Sequence, residues 1–156
     1  YGDRLMASTI SSATLTVTTT ERITLNGSNM GATNTLSVAS INEINQRIVT
    51  IDSGNVRTLF NFGGAVAAGE FVRANVKYLR ITNKDDTNTV SINIRGNATN
   101  CWVEVEPSGS FMLTTASTMM EADDDTTVAT PVLEDLQIIS AYSASGADLD
   151  CYIALT

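Results

Sequence analysis

The chain has 156 residues, 43% of them hydrophobic, and a formal net charge of −8 at pH 7. This length suits one domain with a substantial core, and the composition excludes both a mainly disordered chain and a membrane span of roughly 18 apolar residues. An acidic surface repels phosphate groups, so we expect no direct binding to nucleic acid.

The N-terminal part is predicted to begin with an arm, residues 1–12, and to continue as short strands. Its start, "YGDRLMASTISS", lacks the continuous apolar stretch of a secretion signal, and Met6 resembles a translation start that would leave Tyr1 to Leu5 outside the natural chain. The runs "ATLTVTTT", "ERITL" and "NTLSVAS" alternate apolar and polar residues, as strands do. Asn26-Gly27 is a strong turn signal between the last two runs.

The next segment carries a mixed signal. "SINE" has the pattern of a helical capping box, Ser40 with Glu43, and Ile41, Ile44 and Ile48 recur at helical spacing. We therefore expect one or two helical turns here, followed by a strand through "RIVTI" and another through "VRTLFNF".

Two hairpins give the clearest pattern. "YLRITNKDDTNTVSINI", Tyr78 to Ile94, is two alternating runs joined by a polar loop, and "CWVEVEPSGSFMLTT" turns at "EPSG". Two last strands, "LQIISAY" and "LDCYIAL", are joined across "SASGAD". The alternating apolar residues of the two hairpins predict the core: Leu79, Ile81, Val90, Ile92, Ile94, Val103, Val105, Phe111 and Leu113.

A long polar stretch, residues 114–135, separates the hairpins from the last strands. A segment of this length without periodicity is predicted to be a surface loop that contacts a partner chain. Its acidic run "EADDD", Glu121 to Asp125, favours a solvated loop. A calcium site is the alternative, because the oxygen ligands are present but not at EF-hand spacing. Met119 and Met120, just before the run, would supply adaptable apolar contacts.

Together these elements predict an all-β protein with little helix. Roughly eight to ten short strands at regular spacing indicate an antiparallel β-sandwich, jelly-roll-like, formed as a single domain by residues 1–156. A closed barrel is the alternative architecture.

The residues that most enzymes need are missing. The chain contains no histidine, which removes Ser-His-Asp and Cys-His catalysis, His-containing zinc sites and most general-base chemistry near neutral pH. Glu104 and Glu106 lie on one strand face at a separation that glycoside hydrolysis could use, but such alternating glutamates are usually plain surface. We therefore predict no enzyme, no catalytic residue, no cofactor and no metal.

The two cysteines, Cys101 and Cys151, each fall on the apolar face of a predicted strand. We expect both to be buried free thiols that pack as small hydrophobic residues. A disulfide between them is the alternative, and it would close a long loop and imply an oxidising compartment.

A carbohydrate-binding module is the main rival to a purely structural role. Such modules are often β-sandwiches that stack sugars on exposed aromatic rings. Trp102 lies opposite the apolar face of its strand, beside Glu104, although only 6% of the residues are aromatic.

The second half of the chain, about residues 76–156, resembles small virion proteins encoded among the structural genes of tailed bacteriophages, including marine and cyanobacterial phages. The similar features are the strand end "RITN", residues 80–83, the short polar loop, the β-branched strand, and a hairpin of the type "V.LEPG.SF.L" at Val103 to Leu113. Here Glu104 replaces the commoner apolar residue, and Ser108 separates Pro107 from Gly109.

The resemblance implies a structural role in a virion: a capsid cement or decoration protein on the capsid surface, bound to the major capsid protein or other virion proteins. A tail or connector component, or a receptor-binding sugar module, is the alternative. Neither nucleic acid nor membrane is an expected partner.

Large apolar side chains on the outward faces of strands predict an oligomer. Interface cores favour aromatic and methionine side chains, and these residues are the expected partner interface: Tyr78, Trp102, Met112, Met119, Met120 and Tyr152. A homotrimer follows from capsid three-fold positions and thus from the resemblance. Cover by another segment of the same chain is the alternative.

Overall fold

The computed structural model describes residues 10–120 and 131–156. The described residues form thirteen strands and one 3-10 turn at Arg73–Asn75. The strands are β1 (Ala13–Thr20), β2 (Thr24–Leu25), β3 (Ser28–Asn29), β4 (Thr33–Ile41), β5 (Glu43–Ile51), β6 (Asn55–Gly63), β7 (Phe71–Val72), β8 (Val76–Asn83), β9 (Val90–Arg95), β10 (Asn100–Val105), β11 (Ser110–Leu113), β12 (Ile138–Ser143) and β13 (Ala147–Leu155). No helix among the described residues has the length and hydropathy that crossing a membrane requires.

The chain divides into two compact units, one reaching to Glu43 and including Thr156, the other running from Ile44 to Leu155. In the first unit, β1 and β4 pair as a two-stranded antiparallel ribbon, and β2 pairs with β3 at its tip. Asn26 and Gly27 turn the tip with φ values of 50° and 81°, the left-handed conformations of a type I′ turn. The predicted strands and turn are confirmed here.

The second unit consists of two antiparallel sheets packed against each other as a sandwich. One sheet has the strand order β10-β9-β12-β6-β7, and the other has the order β11-β8-β13-β5. The short pairing of β6 with β7 is parallel. The prediction of an all-β sandwich is confirmed.

The core lies between these two sheets and contains the residues that alternation predicts. Leu79, Ile81, Val90, Ile92, Ile94 and Val105 are all buried. Val103, Phe111 and Leu113 are partly buried against the same cluster. Both hairpins therefore turn the expected faces inward.

The expected helical turns at residues 40–48 are wrong. Residues Glu43–Ile51 form β5, and Ser40 has a positive φ of 63°, which no helix accommodates. Ile44 and Ile48 are four residues apart, and an even separation also places two residues on one face of a strand. Both side chains are exposed, 56% and 62%.

The expectation that Cys101 is buried is also wrong, because its side chain is exposed. Its strand β10 is an edge strand, with a neighbour on one side only. Cys151 lies on β13, between β8 and β5, and is fully buried. Both thiols are free, as predicted.

A buried asparagine fixes two loops of the sandwich at once. Asn83, at the end of β8, is fully buried, and its side-chain amide donates to the carbonyls of Asn88, Val105 and Glu106 at 2.8, 3.4 and 3.3 Å. A buried amide needs such partners. The polar end of "RITN" therefore has a structural role: it joins the loop after β8 to the hairpin between β10 and β11.

Candidate interaction surfaces

The outward face of the four-stranded sheet brings three of the expected interface residues together. Met112 on β11, Arg80 on β8 and Tyr152 on β13 are cross-strand neighbours. The Tyr78 hydroxyl donates to the Met112 sulfur at 3.4 Å, and the rings of Tyr78 and Tyr152 meet edge to face with centroids 6.0 Å apart. Tyr78 is buried, and its burial raises the pKa of its hydroxyl. The accessible surface here is therefore that of Met112, which is 46% exposed, and of the half-buried Tyr152.

We call Tyr78, Met112 and Tyr152 the Met112 cluster. A row of polar side chains borders this cluster. Arg80 makes a salt bridge of 2.8 Å with Asp150, which also accepts a hydrogen bond of 3.2 Å from Gln46. Partial burial would raise the pKa of Asp150, but the bonds from Arg80 and Gln46 outweigh it, and that pKa lies below its ordinary value. Thr82 and Ser110 share a further bond of 2.7 Å. These bonds fix the polar side chains beside Met112 and Tyr152.

Sequence reasoning missed the isoleucines of this face. Ile44 and Ile48 lie on β5, at the other edge of the sheet from Met112, and point outward. Because the segment was interpreted as helical, the two side chains were not recognised as part of a sheet face. Strand alternation would have placed them beside Gln46 on one side of β5.

The structure places Trp102 on the other sheet, apart from the Met112 cluster. Its ring lies on the outward face of β10, opposite Asn93 of β9, and is 48% exposed. No other described part of the chain covers it fully. The six expected interface residues therefore do not form one continuous patch.

Met119 and Met120 pack against the core instead of facing away from it. The backbone N–H of Met119 donates to the carbonyl of Glu134 at 2.9 Å, and the N–H of Glu134 donates to the carbonyl of Met120 at 2.8 Å. These bonds pair the backbone at residues 120 and 134, and we call this pairing the neck of the segment between them. Residues 121–130 of the expected 114–135 loop, which include the acidic run Glu121 to Asp125, lie outside the described residues, as do residues 1–9 of the expected arm.

The tip of the ribbon is a second surface that sequence reasoning did not single out. Ile23, Leu25 and Met30 have exposures of 53, 58 and 66%, and a hydrogen bond of 3.0 Å from the Met30 N–H to the Ile23 carbonyl keeps them close. The signal was present in the sequence: three large apolar residues flank the Asn26-Gly27 turn.

The ribbon itself has two different faces. Leu15 pairs with Val38 and Val17 with Leu36, which gives one apolar face. The pairs on the opposite face carry only hydroxyl groups: Thr16 with Ser37, Thr18 with Thr35, and Thr20 with Thr33. A two-stranded ribbon is marginally stable alone, so an apolar face of this kind needs cover.

Among the described residues, no group of three or more Cys, Asp or Glu side chains is arranged to hold a metal ion. Glu104, on β10, and Glu106, in the turn after it, are both exposed.

Comparison with protein-family models finds no matching family, and comparison with curated proteins finds no matching relative.

Proposed function

We propose that this chain is a non-enzymatic virion structural protein of a tailed bacteriophage, acting as a capsid cement or decoration protein on the capsid surface. It would bind the major capsid protein or other virion proteins through protein–protein contacts. The observation that carries the proposal is the tip of the ribbon, which exposes Ile23, Leu25 and Met30.

The charge distribution supports protein docking by the ribbon. Residues 10–41 contain one acidic and one basic side chain, Glu21 and Arg22, while the whole chain carries a net charge of −8. Depletion of charge is characteristic of the buried core of protein interfaces. The ribbon can therefore lose water on docking without stranding unpaired charges.

We also infer that the sandwich has jelly-roll connectivity. Its eight main strands in chain order are β5, β6, β8, β9, β10, β11, β12 and β13. Numbered one to eight, they give the order 1-8-3-6 in one sheet and 2-7-4-5 in the other, with β7 added at the second sheet's edge. This is the order produced when two Greek keys roll up together. Jelly rolls occur in viral capsid proteins and in lectins, although a fold alone does not fix a function.

The proposed working form is a homotrimer docked on the virion. The outward face of the four-stranded sheet supports self-association, because Met112, Ile44 and Ile48 are each about half exposed or more. The three-fold symmetry comes from the resemblance to phage proteins, while the exposed apolar side chains at the two edges of the sheet supply the physical reason for association.

The test is binding of the purified chain to virion particles that lack it. Ile23→Ser, Leu25→Ser and Met30→Ser together should abolish binding, because they remove the apolar tip without touching the sandwich core. The matched control is Val66→Ser, since Val66 is 92% exposed in a loop of the other unit. Unchanged binding of the triple variant would contradict docking through the ribbon.

A further inference from the structure

The outward face of the five-stranded sheet is built differently from the surfaces above. It consists of three cross-strand rows, and we name it the Trp102 face. The middle row is Trp102, Asn93, Ser140 and Thr58. The row on one side of it is Glu104, Ser91, Tyr142 and Val56. The row on the other side is Asn100, Arg95, Ile138 and Asn61.

Two aromatic rings mark this face. Trp102 is 48% exposed and Tyr142 is half-buried, on strands β10 and β12 with β9 between them. Trp102 and Tyr142 are two strands apart across the sheet and one row apart along it. The spacing between strands and the rise along a strand therefore place their Cα atoms about 12 Å apart. This separation is about the length of two sugar residues in a chain.

The side chains between the rings are short and uncharged. Ser91 and Asn93 lie on β9 between the two rings, and Ser140, which is buried, lies opposite Asn93 on β12. Asn93 is buried, and its amide donates to the Asn100 side chain and, at 3.4 Å, to the Cys101 carbonyl. These bonds fix the side chain of Asn93 beside Trp102.

One end of the face opens into a cleft. The row that contains Arg95, Ile138 and Asn61 forms one side of the cleft, and Glu70 and Asn97 contribute to its lining. Amide, carboxylate and guanidinium groups can each bond to hydroxyls, as donors, acceptors or both. An exposed ring, a row of short polar side chains and a cleft lined by polar groups thus follow one another across a single face.

We propose that the Trp102 face binds a neutral glycan chain, with the indole of Trp102 stacked on the apolar side of one sugar ring. A sugar offers C–H groups to an aromatic face and hydroxyls to the polar groups around it, which is what this face provides. A protein partner would favour a continuous apolar centre, and this face has short polar side chains there. A nucleic acid would meet Glu104 and Glu70 without a basic patch.

This inference does not rest on the virion role, and the chain offers a direct probe. Trp102 is its single tryptophan, so the intrinsic indole fluorescence reports on this face alone. The full chain is titrated with soluble neutral polysaccharides and with a glycan array. We expect saturable binding with a blue shift of the Trp102 emission. Absence of binding to any neutral glycan, or binding without a change in emission, would overturn the proposal.

Three variants sharpen the test. Trp102→Ala should weaken binding by about tenfold or more, and Trp102→Tyr, which keeps a ring, should restore part of it. The matched control is Val66→Ala, because Val66 is 92% exposed and belongs to none of the three rows, and the affinity of this variant should equal that of the wild type. Equal affinity of Trp102→Ala and wild type, or binding of acidic glycans or proteins only, would contradict the proposal.

The same variants separate this proposal from the virion role. The ribbon-tip triple variant should keep glycan binding while it loses particle binding, and Trp102→Ala should do the reverse. If Trp102→Ala loses particle binding together with glycan binding, Trp102 contacts a virion protein and the face is not a dedicated glycan site.

Discussion

The carboxylate of Glu134 accepts a hydrogen bond of 2.7 Å from the backbone N–H of Thr99. The same carboxylate accepts bonds from the N–H groups of Asn97 and Ala98, at 3.1 and 3.0 Å. It thereby joins the turn between β9 and β10 to the backbone position that pairs with Met120. One side chain thus holds a turn of the sandwich and the neck of the acidic segment together.

This arrangement predicts a loss of stability in acid. Hydrogen bonds from Thr99 and Ala98 hold the pKa of Glu134 below its ordinary value, and bonds from Thr118 and Arg73 do the same for Asp135. A carboxyl group whose pKa is lowered by folding stabilises the protein above its unfolded pKa of about 4, and that contribution is lost as pH falls through the folded pKa. The urea midpoint should therefore be lower at pH 3 than at pH 6.

The variant Glu134→Gln tests the hydrogen bonds to the Glu134 carboxylate, because glutamine keeps the shape of the side chain and removes its charge. It removes the charged acceptor, so the midpoint at pH 6 should fall, and the decrease between pH 6 and pH 3 should become smaller than in the wild type. Glu104→Gln is the control, because Glu104 lies exposed on an edge strand. A midpoint of Glu134→Gln equal to that of wild type at pH 6 would show that the bonds contribute nothing.

Replacement of Ile92 tests the core. Its side chain is fully buried on β9, between Val103 of β10 and Ala141 of β12. Ile92→Ala should lower the free energy of unfolding by about 2–5 kcal/mol through lost burial and a residual cavity. Chemical unfolding measures the change, with Val66→Ala as the exposed control, expected within about 0.5 kcal/mol. A cost below about 0.5 kcal/mol for Ile92→Ala would mean that the inward face is misassigned.

The two thiols should react at very different rates. Cys101 is exposed, whereas Cys151 is fully buried and burial raises its pKa to about 11. The thiolate is the reactive form, so a native sample should incorporate one alkyl group rapidly and a second only after denaturation. Mass spectrometry without reductant counts the groups, and Cys101→Ser should lose the rapid one. No alkylation after denaturation would instead indicate a disulfide.

The fold could be predicted from sequence wherever alternation was regular. The hairpins from Tyr78 to Leu113 have one apolar face per strand, and those faces are inward in the structure. The prediction failed at residues 40–48, where one pattern fits both a helix and a strand. On β6 alternation does not give the inward face, because the register shift opposite Ile139 and Ser140 leaves Leu59 and Phe60 both buried, while Val56, of the same parity as Phe60, is 60% exposed.

The interaction surfaces were harder to predict because they depend on which strands become neighbours. Sequence showed that Tyr78, Met112 and Tyr152 lie opposite core residues, and pairing of β11, β8 and β13 brings them together. Trp102 has the same local pattern but belongs to the other sheet. Nothing local distinguishes these cases, since the order of strands is set by contacts distant in sequence. The rows of the Trp102 face likewise cannot be predicted from the sequence, because they depend on how β9 pairs with β10 and β12.

Self-association is predicted at micromolar concentration. Light scattering should give three times the 16.6 kDa mass of one chain, because an oligomer would bury the exposed side chains of Met112, Ile44 and Ile48. Ile48→Ser with Met112→Ser should shift the mass toward that of the monomer, whereas Val66→Ser should leave it unchanged. A wild-type chain that stays monomeric would contradict the proposed oligomer.

The most direct test of the virion role is the copy number of this chain in purified particles of the phage that encodes it. Quantitative mass spectrometry against the major capsid protein gives this number. A capsid cement or decoration protein should be present in hundreds of copies, in a fixed ratio to the major capsid protein. A few to a few dozen copies would place it in the tail or connector, and its absence from particles would contradict a virion role altogether.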